Sequence, residues 1–425
     1  MTDRVVENGK PDLGELLRSW RERALLTQDQ LAARAGLNVR TVRRWEAGRL
    51  GRPRGTSMRS VATALGLGGA ELSMLLSAAI TVPEISSPVR TTPRQLPADV
   101  AAFVGRTREL AVLGEIAGTI TVIDGMAGAG KTALAVHAAH RLVSRFPDGD
   151  LYVDLHGHTQ GRAAADSSDT LARLLEVLGV PGESIPRHLD DRAALYRSVL
   201  AGRRMVIVLD DAADEEQVRP LLPGAGGCPT LVTSRRRLAG LDGVRTVSVD
   251  VLPLADAIGL FIGAAGKGRV AGVPWEVLAG VVRRCGLLPL AIRLAAARLT
   301  AHPAWSVSHL LERLDEHRRL LSELRAGERS VTAALDTSYW RLGADERRAY
   351  RVLGLRTAPD FAPDAAAALL ATTADRASVL LDRLQEVHLL QEPIAGRYRF
   401  HALIRAHATA MALDEESPRL LDLVR

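Results

Sequence analysis

The chain has 425 residues, too many for one ordinary domain, and a hydrophobic fraction of 47% is enough for several packed cores. Its net charge of +6 is concentrated at one end. Residues 1–60 carry 13 Lys/Arg against 7 Asp/Glu and the rest is balanced, which fits either a nucleic-acid-binding head or a solvated basic face. Only two cysteines, Cys228 and Cys285, exclude a disulfide framework; no apolar run approaches a membrane span and the N-terminus is no secretory signal, so a cytoplasmic chain with no membrane partner is expected.

Residues 1–81 read as all-helical. Leu13, Leu16, Leu17 and Trp20 share one face of a first helix, and further helices are expected near 28–35, 39–47, 56–66 and 69–80. Thr27-Gln28-Asp29-Gln30 has the form of a capping box, Gly36 suits a tight turn, and Asn38 can cap the next helix. On that helix Val42 and Trp45 face inward, while Arg40, Thr41, Arg43 and Arg44 lie elsewhere on its surface. Residues 34–59 hold eight arginines against one acid, Glu46.

Two short helices joined by a small-residue turn, the second rich in arginine, form a helix-turn-helix pattern. Residues 26–48 closely resemble the Cro/repressor (Xre) helix-turn-helix family. The resemblance implies that Val39, Arg40 and Arg44 occupy base-reading positions and that Gln28 and Arg43 face phosphates. Arginine forks suit guanine O6/N7. A protein-interaction module is the competing use of such a head.

Prolines at 83, 88, 93 and 97 make 82–100 an expected extended linker. Beyond it, apolar strand candidates at 119–124, 151–155, 205–210, 229–233 and 245–249 alternate with helical stretches, as in a parallel sheet covered on both faces. Residues 101–252 are expected to form this α/β domain and 253–325 a helical subdomain. Residues 326–425 are expected to be mostly helical, with a hairpin near 389–400 around Ala395-Gly396.

The run Gly125-Met126-Ala127-Gly128-Ala129-Gly130-Lys131-Thr132, with Ala133 next in the helix, stands between an apolar strand and an apolar helix. That is a P-loop, in which main-chain N–H groups cradle phosphates, Lys131 reaches the β- and γ-phosphates, and Thr132 offers a hydroxyl to Mg²⁺. Lysine occurs at only three positions in the chain, which makes Lys131 there by accident less plausible. The apolar strand run Met205–Asp211 ends in two acids. Asp210 is expected to hold Mg²⁺ and Asp211 to orient an attacking water. Arg235 follows the strand 230–234; its spacing fits equally a γ-phosphate sensor and a surface arginine.

Seven ordered motifs now stand together. They are Phe103-Val104-Gly105-Arg106, the P-loop, the segment 146–156, Leu209-Asp210-Asp211, Thr233-Ser234-Arg235, Cys285-Gly286-Leu287-Leu288-Pro289-Leu290-Ala291 and Phe400-His401-Ala402-Leu403. Their order resembles the NB-ARC ATPases of the STAND class, in particular the actinobacterial regulators that carry a DNA-binding head. The resemblance implies a multidomain fold: an all-α helix-turn-helix head, an α/β P-loop NTPase with a parallel sheet, a helical subdomain and a winged helix. It implies ATP/ADP and Mg²⁺ as ligands, DNA as partner, nucleotide-dependent homo-oligomers and slow ATP hydrolysis. Val104, Gly105 and Arg106 would line the adenine-ribose side, Pro289 would contact adenine, and His401 would approach the β-phosphate of ADP. Two departures stand out: Ala402 replaces the family's usual Asp, and Leu287 replaces a glycine. The repeat array that usually follows as a sensor is not found within these 425 residues. An oligomerising scaffold whose head recruits protein, or a continuously turning-over ATPase, would be alternative uses of the same module.

Overall fold

The computed structural model describes residues 13–47, 55–69, 71–72, 74–75, 92–100, 103–115, 118–224, 226–316, 320–356 and 358–416. The chain divides into two compact units, residues 1–91 and 92–425. The first part of the expected linker, 82–91, and the end of the helix expected at 69–80 lie outside the described residues.

The first unit is helical: α1 (Leu13–Arg23), α2 (Gln28–Ala35), α3 (Val39–Glu46) and α4 (Gly55–Leu65). The capping box forms as its sequence dictates. Thr27 accepts from the Gln30 N–H and Gln30 accepts from the Thr27 N–H. Gly36 ends α2 in the left-handed region (φ 66°), its N–H returning to the carbonyls of Ala32 and Ala33, and Asn38 caps α3. Leu17, Trp20, Leu31, Val42, Trp45 and Val61 meet in one apolar core.

The second unit is built on a five-stranded parallel sheet in the order β2-β3-β4-β1-β5. Its strands are β1 (Ile120–Asp124), β2 (Asp150–Asp154), β3 (Val206–Ala212), β4 (Thr230–Ser234) and β5 (Arg245–Ser248). Alternate side chains feed two cores. Val122, Ile207, Leu209 and Val232 pack with helices Ser167–Val177 and Leu189–Leu200. Ile123, Val206, Val208 and Leu231 join a larger core with helix Lys131–Leu142. That larger core continues without a break through helices Leu254–Ala265, Trp275–Arg284 and Pro289–Ala301 and on to Ala402–Glu415.

The hairpin expected near 389–400 is present as Gln391–Ile394 and Arg397–Arg399, turning at Gly396 (φ 74°), and Tyr398 bridges to Phe361. A second small hairpin, Arg325–Ala326 with Arg329–Ser330, was not foreseen. Residues 92–100 depart from the linker expectation, because they belong to the second unit. Pro93 accepts from the Asp150 N–H, Arg94 bridges to Asp150, and the N–H groups of Gln95 and Leu96 donate to the Asp150 carboxylate at 2.6 and 2.9 Å. Proline favours extended backbone, and extended backbone also suits a strap along a sheet edge.

Candidate nucleotide and DNA sites

β1 delivers the chain into the P-loop, where Gly125, Gly128 and Gly130 take φ of 145°, 80° and 92°. A side chain at Gly125 would begin 2.4 Å from the Val249 carbonyl oxygen, and one at Gly128 2.9 Å from Leu290, so only glycine fits both positions. Gly130 ends the loop at the start of helix Lys131–Leu142, which turns its free N–H groups to the space in front.

That space is a cavity of about 560 Å³. Residues 128–133 line it, as do Val104, Arg106, Asp210, Asp211, Arg235 and Pro289, all expected from sequence. Gly125, Met126, Ala127 and Gly105 do not reach it. Met126 and Ala127 are buried in the larger core, and Gly105 is packed against Asp256. Arg106 lines the cavity, yet its guanidinium donates to the carbonyls of Ala129 and Asp250 and pairs with Glu109; it shapes the loop.

Lys131 donates to the carbonyls of Gly125 and Met126 at 2.7 and 2.9 Å. Full burial, then the nearby Arg235 charge, lowers its pKa to about 7 against the pull of Asp211, Asp210 and Asp124. The Thr132 hydroxyl donates to Oδ1 of Asp210 at 2.8 Å, so the two groups expected to hold Mg²⁺ are adjacent. Thr233 donates to the same oxygen, and the Tyr152 hydroxyl to Oδ2 at 3.0 Å. Burial raises the Asp210 pKa despite these three donors. Among the described residues no group of three His, Cys, Asp or Glu is arranged to hold a metal. A divalent cation here would therefore rely on Thr132, Asp210 and phosphate oxygens, the donor set that suits Mg²⁺. The glycine cradle, the buried ammonium and the Thr132–Asp210 pair together fit a magnesium nucleotide.

Three of the expected residues are engaged by other parts of the protein in this arrangement. Asp211 sits at a bulge of β3 with φ 53°, and both its oxygens are engaged by His158, one by the N–H at 2.7 Å and one by Nδ1 at 3.1 Å. Burial would raise its pKa, but the His158 hydrogen bond and charge prevail and hold it at about 2. Arg235 lines the cavity but donates to the Ala334 carbonyl and the Thr337 and Ser338 hydroxyls of helix Val331–Tyr339. His401 does not line the cavity. Its Nε2 lies 2.8 Å from the Gly286 carbonyl and its Nδ1 accepts from the Leu403 N–H, so it caps helix Ala402–Glu415.

Sequence reasoning gave no site role to Tyr152, Asp154, Phe103, Arg293 and Arg329, which also line the cavity. The strand 151–155 put Tyr152 and Asp154 within reach, since alternate residues at a strand end face the ligand edge. The two arginines carry no motif.

In the first unit Arg40, Arg43 and Arg44 are exposed on α3, and Val39 and Thr41 are half-exposed beside them. Arg43 lies 3.6 Å from Asp29. Gln28 is turned elsewhere: its amide donates at 2.8 Å to the buried Glu46, which Arg21 also holds.

A helix-turn-helix domain model matches residues 12–75, and an NB-ARC domain model matches residues 108–261. The chain is 45% identical over 333 residues to the regulatory protein AfsR of Streptomyces griseus, covering 77% of this chain and 34% of that protein. It is 46% identical over 332 residues to AfsR of Streptomyces coelicolor, covering 75% and 33%. The chain thus spans about a third of the length of the curated relatives it matches. A Walker-type ATPase of Pyrococcus abyssi shares the fold at 12% identity and a TM-score of 0.52, covering 75% of this chain and 99% of that one. No described helix is long and apolar enough to cross a membrane.

Proposed function

The chain joins a helix-turn-helix domain to an NB-ARC domain, the build of the actinobacterial NB-ARC regulators, and on that premise we propose that it is a cytoplasmic, DNA-binding transcription regulator whose state is set by a bound adenine nucleotide. The observation that carries this reading is the make-up of the cavity wall. Residues of the strap, the P-loop, the ends of β2, β3 and β4, helix Pro289–Ala301 and the hairpin before helix Val331–Tyr339 all reach one space. A ligand held there touches the strap, the ligand edge of the sheet and helix Pro289–Ala301 at once.

In this reading the N–H groups of residues 128–132 and the Lys131 ammonium hold the phosphates, and Thr132 with Asp210 holds Mg²⁺. Val104 and Pro289 flank the base. The magnesium nucleotide supplies the anionic charge toward which these donors point. ATP and ADP act as opposing signals only if the two states of the chain bind them with different affinity. His158 keeps both Asp211 oxygens engaged, which suits slow hydrolysis. Nucleotide-dependent self-association would bring several heads together and raise their effective concentration on DNA.

The test is fluorescence anisotropy of the full chain on a duplex selected from a random pool, with ADP or a non-hydrolysable ATP analogue, and light scattering on the same samples. A difference in DNA affinity with a change in mass is expected. Equal affinity and equal mass in both nucleotides would remove the switch.

A further inference from the structure

We propose that Arg293 and Arg329 read the terminal phosphate of the nucleotide, so that this pair makes the cavity favour a triphosphate over a diphosphate; the proposal deepens the nucleotide reading above and rests on it. Five cationic side chains line the cavity: Arg106, Lys131, Arg235, Arg293 and Arg329. Three are engaged by the protein. Arg106 holds the carbonyls of Ala129 and Asp250, Lys131 those of Gly125 and Met126, and Arg235 grips helix Val331–Tyr339. Arg293 and Arg329 have no side-chain hydrogen bond or ion pair with any described residue. The carboxylates of the same wall do not neutralise them, because Asp210 is held by Thr132, Thr233 and Tyr152, Asp211 by His158, and Asp154 faces His156.

Their position follows from the elements that carry them. Arg293 lies one helical turn beyond Pro289, on the same face, and the Pro289 ring stands 3.8 Å from where a side chain on Gly130 would begin. Arg329 opens the second strand of the hairpin that runs straight into helix Val331–Tyr339, the helix that Arg235 grips from the end of β4. The carboxyl ends of parallel strands face the ligand, and the Asp210 and Thr233 they carry here line the same cavity as Arg293 and Arg329. Burial and then the charge of Arg329 lower the pKa of Arg293, as expected of two guanidinium groups that share a space with no carboxylate between them.

Such a pair is an anion site by charge alone. A γ-phosphate brings one more negative charge and three more acceptor oxygens than a diphosphate offers, and arginine binds phosphate through paired N–H donors. The sequence left Arg235 open between this task and a surface position; in the structure it holds helix Val331–Tyr339.

The experiment is calorimetry on the full chain with Mg·ADP and with Mg·ATPγS, comparing the wild type with Arg329→Ala and Arg293→Gln. Arg329 is exposed, so Arg329→Ala leaves packing untouched. Each substitution is expected to weaken triphosphate binding about tenfold, the loss of one charge-assisted phosphate contact, and diphosphate binding less than about threefold. Equal losses for both nucleotides, or none for either, would overturn the proposal while the nucleotide reading stands. A wild-type chain that takes up neither nucleotide would remove both.

Discussion

The guanidinium of Arg235 lies 2.8 Å from the hydroxyl of Thr337, and the same nitrogen donates to the Ala334 carbonyl. One arginine at the end of β4 thereby ties the sheet's ligand edge to helix Val331–Tyr339. An anion that drew Arg235 toward the cavity would have to release that helix. Strand-end geometry thus turns ligand charge into a choice between two partners for one side chain.

Arg235→Ala tests the tie directly. It removes a charged, mostly buried nitrogen whose two hydrogens are shared among three acceptors, each full hydrogen bond worth about 1.5–3 kcal/mol at most. Amide exchange in residues 331–339 should accelerate by about tenfold or more, with β4 unchanged. Unchanged exchange would mean that Val331, Leu335 and Tyr339 hold the helix by apolar packing alone.

Lys131 makes a pH prediction with a fixed sign. Its folded pKa of about 7 lies below the unfolded value of 10.5, so the unfolded chain binds more protons between those values. This residue's contribution to stability should therefore become more favourable as pH rises from 7 toward 10. Lys131→Met should flatten the dependence of the urea midpoint on pH over that range, and it should abolish measurable ADP uptake. In the wild type, ADP should restore the ammonium, so binding at pH 8.5 takes up protons and its heat varies with buffer. A binding heat independent of buffer would show that Lys131 is already charged.

The P-loop, the capping box, all five strands and the hairpin at Gly396 were legible because each rests on neighbours close in sequence. Gly-x4-Gly-Lys-Thr between a strand and a helix has one physical use. The roles of Arg235, His401 and Gln28 were not legible, for a common reason. Their partners, Ala334, Gly286 and Glu46, lie 99, 115 and 18 residues away, and tertiary packing alone decides those pairings. Family order led from His401 toward phosphate, whereas local capping of helix Ala402–Glu415 and a carbonyl at Gly286 take both its ring nitrogens. Arg293 and Arg329 were invisible for the opposite reason: they have no neighbouring pattern, and only the folded cavity wall brings them together.

In the head, Gln28 and Arg40 should separate stability from recognition. Gln28→Ala leaves the buried Glu46 carboxylate short of one donor, which costs about 1–3 kcal/mol, and exchange in α2 and α3 should quicken. Arg40→Ala leaves the fold intact and should cost about 1–3 kcal/mol of discrimination between DNA sites if it reads guanine. A uniform loss over all sequences would assign Arg40 to phosphate. Quicker exchange without a change in DNA binding at low temperature would confirm Gln28 as a brace.

The strap gives the last prediction. Asp150 is buried at the start of β2 and holds Arg94, Gln95 and Leu96. From that anchor the chain passes the cavity with Pro97, Ala98 and Val100 in its wall, and His140 meets the Pro97 carbonyl at 2.8 Å. Phe103 then stacks on His137, with ring centres 4.2 Å apart, and His137 pairs with Asp99. These wall residues are apolar while the P-loop end is polar, so the strap belongs to the base rather than to the phosphates. Asp150→Ala should therefore weaken ADP about tenfold, a loss of roughly 1.4 kcal/mol, and leave inorganic tripolyphosphate unchanged. Equal weakening of both would mean that the substitution disturbs β2 and the P-loop generally. Because residues 92–100 are also the chain's path from the helical head into the second unit, the same variant should lose part of the nucleotide dependence of DNA binding. If it binds ADP tenfold more weakly yet keeps the full difference between nucleotides at saturation, the strap serves the base alone and the signal leaves the cavity by another route.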